Sequence, residues 1–349
     1  MGAAAGVLYG LLVYVWLHVL NGPQEAGAGV MVASYLFLVP LVLGLLSVTL
    51  TFRQAHRPER SDEEGKDAEG TGAAGTDAFG EPLARPVGPT LLNVLGVASL
   101  STGVFLVVAL VLGFEGVLCA FVAAPVMFVM AWLGALIAFW TRLWAARGRA
   151  GALLLSATLP ALLGPLEGRV APPTMYRTVT NTVLVQASPA VVWAQVRSVP
   201  RIEDREVTAG WAHAVGLPRP RAAVLDRDGV GAVRVATFDG GLSFRETVTD
   251  WVPGRLLSFR IQAQDPGGLD PHVRVGGRFF DVLSGTYRLE ELRPGVTLVH
   301  LSSTQRVSTP FNGYAAWFTQ AIMLDLQRTI LDVVRDRSER VAGTGVGRL

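Results

Sequence analysis

Three residues in the C-terminal half of the chain can transfer protons and are candidates for catalysis: Glu246, Tyr287 and His272. Glu246 shares one face of a predicted strand with Phe244, because alternate residues of a strand point to the same side. If that face is buried, the carboxyl group lies among apolar side chains, which raise its pKa and produce a general acid. The alternative is a structural role, in which Glu246 pairs with Arg234 or another arginine of a neighbouring strand.

The residue types and their spacing do not support other kinds of chemistry, such as metal binding, nucleophilic hydrolysis or phosphate binding. His213, His272 and His300 are scattered and lack the short ligand spacings of zinc sites. The lone Cys119 lies in an apolar run, and the chain contains no Gly-x-Ser-x-Gly motif. Glycines of the C-terminal half fall at predicted hairpin ends, where turns require them, and form no phosphate loop. We therefore expect no metal, no cofactor and no hydrolase nucleophile.

The composition divides the chain into two parts. Of its 349 residues, 17% are charged, compared with about a quarter in a soluble globular protein. The deficit lies in the first 170 or so residues, which indicates a membrane region followed by a water-exposed domain. The net charge of +2 provides no electrostatic argument for a nucleic-acid partner.

Four apolar segments in residues 1–168 are long enough to cross a bilayer, which needs about 20 residues. They cover 3–20, 30–52, 91–114 and 117–141. A fifth apolar segment, 151–166, is short and contains two prolines, so it is either a short span or an interfacial segment. The polar, glycine-rich stretch 53–89 has almost nothing to bury and is predicted to be a disordered loop.

Arginine clusters follow the second and fourth predicted spans: Arg53, Arg57 and Arg60, and then Arg142, Arg147 and Arg149. Because positive residues favour the cytoplasmic side, both clusters are predicted to be cytoplasmic. If 151–166 spans, the C-terminal domain is extracytoplasmic, which we favour; otherwise it is cytoplasmic. The predicted spans contain no acidic or basic residue at mid-membrane, which argues for an anchor or a partner surface rather than a transporter.

The C-terminal domain, predicted over 174–340, opens with an alternating strand at 179–186 and the sequence ASPAVVW at 187–193. Serine can cap a helix start and proline fits its first turn, so a strand, a corner and an amphipathic helix are predicted. Strands and turns alternate from Ala222 to Val307, interrupted by a Gly/Pro-rich loop at 264–277 of the kind that forms lids. A helix follows from Phe311 to about Arg340, with apolar residues at helical spacing and Trp317 widening the stripe. The final residues, 341–349, are predicted to be a flexible tail.

The corner and the order of elements resemble the START-like, or SRPBCC, superfamily, which includes polyketide cyclases and lipid-transfer domains. The whole chain also resembles bacterial membrane proteins in which several spans precede such a domain. The predicted architecture is an all-α transmembrane bundle of four to five helices in the inner membrane. An α+β helix-grip domain follows, with an antiparallel sheet wrapped on a long C-terminal helix.

The resemblance implies an apolar cavity between the sheet and the last helix. Eight residues are candidates to line it: Trp193, Phe238, Phe244, Trp251, Phe259, Tyr287, Phe318 and Ile322. The leading hypothesis is a membrane-anchored module that binds a lipid, isoprenoid or polyketide-like molecule for transfer or sensing. One alternative is a cyclase/dehydrase enzyme that uses Glu246, Tyr287 or His272. Another is a structural protein that docks a membrane partner or a second copy of itself.

Overall fold

The computed structural model describes residues 2–21, 33–54, 90–144, 149–208, 210–265 and 274–346. The chain divides into two compact units. The first comprises Met1–Trp16, Ser34–Val108 and Pro125–Leu163, and the second comprises Leu17–Ala33, Ala109–Ala124 and Gly164–Leu349. The predicted loop at 53–89 lies outside the described residues, apart from its first two positions, which end a helix.

The N-terminal region is helical. Its helices are α1 (Gly2–Asn21), α2 (Val39–Gln54, continuous with a π-helical turn at Ser34–Leu38), α3 (Leu91–Val111), α4 (Val117–Trp144) and α5 (Arg149–Gly168). Among the described residues, three helical segments are long and apolar enough to cross a membrane: Ser34–Phe52, Leu91–Val111 and Val117–Thr141. The apolar helix Gly2–Leu17 is shorter. The first and fifth predicted spans therefore stay predictions.

Small residues let helices α2 and α4 approach closely in the first unit. A Cβ built on Gly44 would overlap the backbone of Ala131, and one built on Gly134 would overlap that of Leu41. Ala131 also belongs to an alanine- and valine-rich cluster that includes Val48. Close backbone contact through small residues is a common way for helices to associate in lipid. Lipid tails are as apolar as the helix side chains, so the hydrophobic effect does not drive the helices together there.

The second unit contains a seven-stranded antiparallel sheet in the order β1-β7-β6-β5-β4-β3-β2. Its strands are β1 (Met175–Val185), β2 (Pro220–Leu225), β3 (Val233–Phe238), β4 (Ser243–Val252), β5 (Leu256–Asp265), β6 (Phe280–Arg293) and β7 (Val296–Val307). Two short helices, α6 (Pro189–Arg197) and α7 (Trp211–Ala214), precede the main run of strands. The long helix α8 (Asn312–Val346) packs mainly on β1 and on α6, and less on β7. This arrangement confirms the predicted helix-grip fold.

Local sequence accounts for the corners of this domain. Pro189 occupies the first turn of α6 after Ser188, although the serine hydroxyl makes no capping hydrogen bond. In the turn between β4 and β5, the Arg255 N–H donates to the Val252 carbonyl at 2.9 Å, and Gly254 has φ +71°. A positive φ at that position is what a type II-like turn requires.

The buried surface of α8 differs from the predicted stripe. Leu331 and Val334 pack into the core beneath the sheet, whereas Val333 packs with a separate cluster that contains Val199 and Ile202. The helix is therefore covered on two sides, and its buried positions do not follow one apolar stripe. Trp317, predicted to widen that stripe, is 63% exposed. The helix continues to Val346, into the segment predicted to be a tail.

Candidate functional site

The inner face of the sheet has two ends, because antiparallel pairing aligns the starts of some strands with the ends of others. At one end, which we call the Phe244 end, β3 finishes at Phe238, β4 begins near Phe244, and β5 continues to Ala263 and beyond. Strand β7 ends there at Val307, opposite Phe280 of β6. The opposite end, which we call the Trp193 end, lies beneath α6.

The Trp193 end is filled by a packed core that contains four of the eight predicted lining residues. Trp193, Phe259 and Tyr287 belong to this core, and Trp251 packs against it. The rings of Trp193 and Trp251 meet edge to face with centroids 5.0 Å apart, and those of Phe259 and Tyr287 are 6.1 Å apart. These four side chains make ordinary core contacts, and a lining role for them stays a prediction.

The other four predicted lining residues lie toward the Phe244 end. Phe238 and Phe244 form an edge-to-face pair with ring centroids 5.5 Å apart, and both are only half-buried. Phe318 and Ile322 come from the first half of α8; Phe318 is buried and Ile322 is half-buried. None of these four belongs to the packed core cluster described above.

The sheet separates at this same end. Strands β5 and β6 pair from Leu256 opposite Arg288 as far as Arg260 opposite Ser284. Beyond that point β5 stays paired with β4 up to Asp265, and β6 stays paired with β7 from Phe280. The inner-face residues Ile261 and Ala263 are half-buried there. The last part of the 264–277 loop approaches this gap, since a Cβ on Gly276 would lie 3.1 Å from the Ala263 Cβ.

A buried charge pair lies deeper, on β3 and β4. Arg234 and Glu246 are directly opposite in register, and both are buried. The Arg234 Nε donates to Glu246 Oε2 at 2.5 Å, and its Nη1 donates to the Val196 carbonyl at 2.7 Å. The guanidinium also sits 4.5 Å above the Phe259 ring centroid. Of the two interpretations of Glu246, this geometry matches pairing with Arg234, and a catalytic role stays a prediction.

Electrostatics link Tyr287 to this pair. Burial is the largest single effect and disfavours the charged guanidinium, but the attraction and hydrogen bonds of Glu246 and Tyr287 together raise the pKa of Arg234 above its usual value. Burial also raises the pKa of the Tyr287 phenol, against the opposing effect of Arg234. The cluster therefore holds a charged guanidinium and a protonated phenol at neutral pH. His272, the third predicted proton donor or acceptor, lies outside the described residues.

Two glutamines on the sheet–helix interface are features that the sequence analysis missed. Gln327 of α8 donates through Nε2 to the Val179 carbonyl at 3.1 Å and to Ser303 Oγ at 2.5 Å. Gln305 of β7 is fully buried, and among the described residues neither its Nε2 nor its Oε1 has a hydrogen-bond partner. The available signal was the alternation of β7, which puts Gln305 on the same face as Leu301.

Among the described residues, no group of three or more His, Cys, Asp or Glu side chains is arranged to hold a metal ion. The arrangement instead combines an apolar inner face that is incompletely covered at one end with a small number of buried polar groups. Such a combination is typical of sites for small hydrophobic molecules.

The fold and this interior define a START-like helix-grip domain. Residues 176–339 match the family model described as polyketide cyclase / dehydrase and lipid transport, and this part of the chain has the START-like fold. No curated protein matches the chain at a significant level.

Several solved structures are similar to this domain. One is the Zhui aromatase/cyclase from Streptomyces sp. R1128, with 17% identity, a TM-score of 0.32, and coverage of 48% of this chain and 96% of that one. Another is norcoclaurine synthase from Thalictrum flavum, with 16% identity, a TM-score of 0.30, and coverage of 49% and 88%. A START superfamily protein from Mycobacterium smegmatis has 13% identity, a TM-score of 0.32, and coverage of 47% and 98%. At these identities the similarities extend to neither substrate nor reaction.

Proposed function

We propose that the START-like domain binds a hydrophobic small molecule between the sheet and α8 at the Phe244 end, for transfer or sensing. The ligand class is a lipid, an isoprenoid or a polyketide-like molecule. The observation that carries this proposal is the separation of β5 from β6 after Arg260 and Ser284, where inner-face apolar residues are half-buried. Apolar side chains in such a position gain free energy when a ligand removes them from water.

The test is native mass spectrometry of the full chain released from detergent micelles. The wild type is expected to carry one small molecule, identifiable after extraction with organic solvent. Ala263→Phe fills the inner face near the gap and is expected to lose it, whereas Gln262→Phe, on the exposed opposite face of β5, is expected to retain it. Equal occupancy in all three proteins would identify annular lipid and reject the proposal, as would a wild type that neither carries nor takes up such molecules. Ile322→Phe is the second filling variant if Ala263→Phe fails to fold.

A second candidate function is a cyclase/dehydrase-type reaction, favoured by the cluster of Arg234, Glu246 and Tyr287. A phenol and a guanidinium buried together could donate hydrogen bonds to a carbonyl oxygen that gains charge during reaction. We place this function second because Glu246 is already engaged by Arg234. The extracted ligand, incubated with the full chain, would yield a product lighter by one water, and Tyr287→Phe would abolish that product while ligand occupancy is retained.

We further propose that the START-like domain is extracytoplasmic in a multi-pass membrane protein. Within the second unit, Phe121 at the start of α4 contacts Trp211 and Phe318, with ring centroids 5.9 and 6.3 Å away. The Tyr314 hydroxyl donates to the Val122 carbonyl. The turn between α3 and α4 therefore lies beside the domain. Arg142, in the arginine cluster predicted to be cytoplasmic, is at the other end of α4, which supports an extracytoplasmic domain.

Labelling of intact cells with a membrane-impermeant maleimide tests this topology. Cys119 is first replaced by alanine, and single cysteines are then introduced at the exposed Glu290 or at Lys66 of the predicted cytoplasmic loop. We expect labelling of Glu290→Cys in intact cells and of Lys66→Cys only after lysis. The reverse pattern would mean that the domain is cytoplasmic.

A further inference from the structure

Gln305 is an exception among the buried polar groups of the START-like domain. Its residue exposure is 0%, and among the described residues both atoms of its amide lack a hydrogen-bond partner. Buried amides are nearly always hydrogen-bonded, because water satisfies them in the unfolded chain. A fully buried amide with an unused donor and an unused acceptor therefore suggests a partner that binds from outside the chain.

The side chains around Gln305 leave its amide without a hydrogen bond. Along the inner face of β7, its neighbours are Ser303, whose hydroxyl accepts from Gln327, and Val307, which has no polar side-chain atom. The residues directly opposite Gln305 are Val282 on β6 and the exposed Arg177 on β1. None of these side chains makes a hydrogen bond to the amide.

Gln305 also lies close to the proposed site. It is two residues from the end of β7, toward the Phe244 end, and it pairs with the part of β6 that has separated from β5. On the inner face, therefore, an isolated polar group stands beside half-buried apolar side chains. A ligand that lies along those apolar residues would bring one of its ends to the amide.

We infer that Gln305 binds the hydroxyl group of an uncharged alcohol or phenol whose remaining atoms are apolar. This inference rests on the proposed function and specifies its ligand. A hydroxyl both donates and accepts, which matches the two free atoms of the amide. An ionised group at this fully buried position would need a compensating buried charge. The buried Arg234 is already paired with Glu246, and Arg177, opposite Gln305 on β1, is exposed to water.

The test uses two probes of nearly equal shape, 2-naphthol and 2-methylnaphthalene, which differ in a hydroxyl against a methyl group. Equilibrium binding is measured on the full chain in detergent micelles, with empty micelles as the blank. The wild type is expected to prefer 2-naphthol by about tenfold, the usual effect of one hydrogen bond in a site built for it. Gln305→Met has nearly the same shape and is expected to reduce this preference to about twofold or less.

The matched control is Gln262→Met, which changes an exposed glutamine on the outer face of β5 and should retain the preference. If Gln305→Met also retains it, or if the wild type binds both probes equally, the inference is overturned and the proposed function stands. If the wild type binds neither probe, the inference is overturned, and the proposed function fails with it only if the wild type also neither carries nor takes up a hydrophobic molecule in mass spectrometry. Without any probe, Gln305→Met should melt at or above the wild-type temperature, because it removes an unsatisfied amide. A lower melting temperature would mean that the amide already has a partner in the unliganded protein and would also overturn the inference.

Discussion

Replacing Glu246 with glutamine tests whether the buried charge pair holds the interior of the START-like domain together. In the wild type, the Arg234 Nε and the Glu246 Oε2 are 2.5 Å apart, and the two residues are 5% and 6% exposed. Glu246→Gln keeps the size of the side chain but leaves the guanidinium as an uncompensated charge. Because Arg234 is buried under Phe259, it cannot turn to water without breaking its bond to the Val196 carbonyl.

The expected loss is large. Removing one partner of a buried ion pair costs about 3–5 kcal/mol, because the other charge remains buried and unpaired. In a domain of roughly 150–250 residues this corresponds to a fall in melting temperature of about 6–20 °C. The assay is thermal unfolding of the full chain in detergent, followed by tryptophan emission, to which the Trp193–Trp251 pair of the same core contributes.

Two comparisons make the result decisive. Asp228→Asn breaks the exposed ion pair with Arg197, whose side chains are 61% and 41% exposed, and should cost no more than about 1 kcal/mol. The double variant Arg234→Met with Glu246→Met removes both charges and should recover much of the loss, since apolar replacement of a buried pair is often neutral. The reasoning would be refuted if Glu246→Gln lowered the melting temperature no more than Asp228→Asn does. It would also be refuted if the double variant lost as much stability as the two single substitutions added together.

Two further substitutions test other features of the domain. Gly285→Ala should lower the melting temperature by the equivalent of about 1–3 kcal/mol, because its Cβ would overlap the Phe259 ring; Gly343→Ala, in open space on α8, should be neutral or stabilising. An equal effect of the two changes in thermal unfolding would contradict the proposed overlap. The pKa of Glu206 is lowered from 4.5 to about 2, chiefly by its hydrogen bond to Arg337. The stabilisation that the Glu206 carboxylate provides should therefore be complete above pH 4.5 and disappear toward pH 2. The melting-temperature difference between the wild type and Glu206→Gln should accordingly shrink over that interval, and a constant difference would show that the carboxylate charge is not responsible.

Much of the fold could be predicted from the sequence, because the relevant signals are local. The run of strands was predicted to end at Val307, which is where the last strand, Val296–Val307, is observed to end. The alternation of β5 also puts Leu257 and Phe259 on its buried face. The corner at 187–193 was predicted from its serine and proline, whose conformational preferences act within one turn. Such features depend on neighbours in the chain and need no knowledge of distant contacts.

The candidate site was less predictable. The eight residues were predicted to line a cavity, and their division between a packed core and an open end depends on where β5 and β6 stop pairing. Gln305 gave no local indication that its amide would be buried without a partner. The side chains around that amide are set by tertiary contacts, such as the bond from Gln327, on a helix that packs across the sheet, to Ser303.

By itself, the sequence determined the order of elements, the apolar character of the N-terminal helices and the START-like resemblance. These features depend on hydrophobic periodicity, helix capping and turn residues, all of which involve residues close together in the chain. Only the tertiary structure decided which sides of α8 are buried and against what, because Leu331 and Val334 pack into the core whereas Val333 packs with Val199 and Ile202. It also decided that Glu246 meets Arg234, because strand register is a property of two segments brought together and not of either one alone.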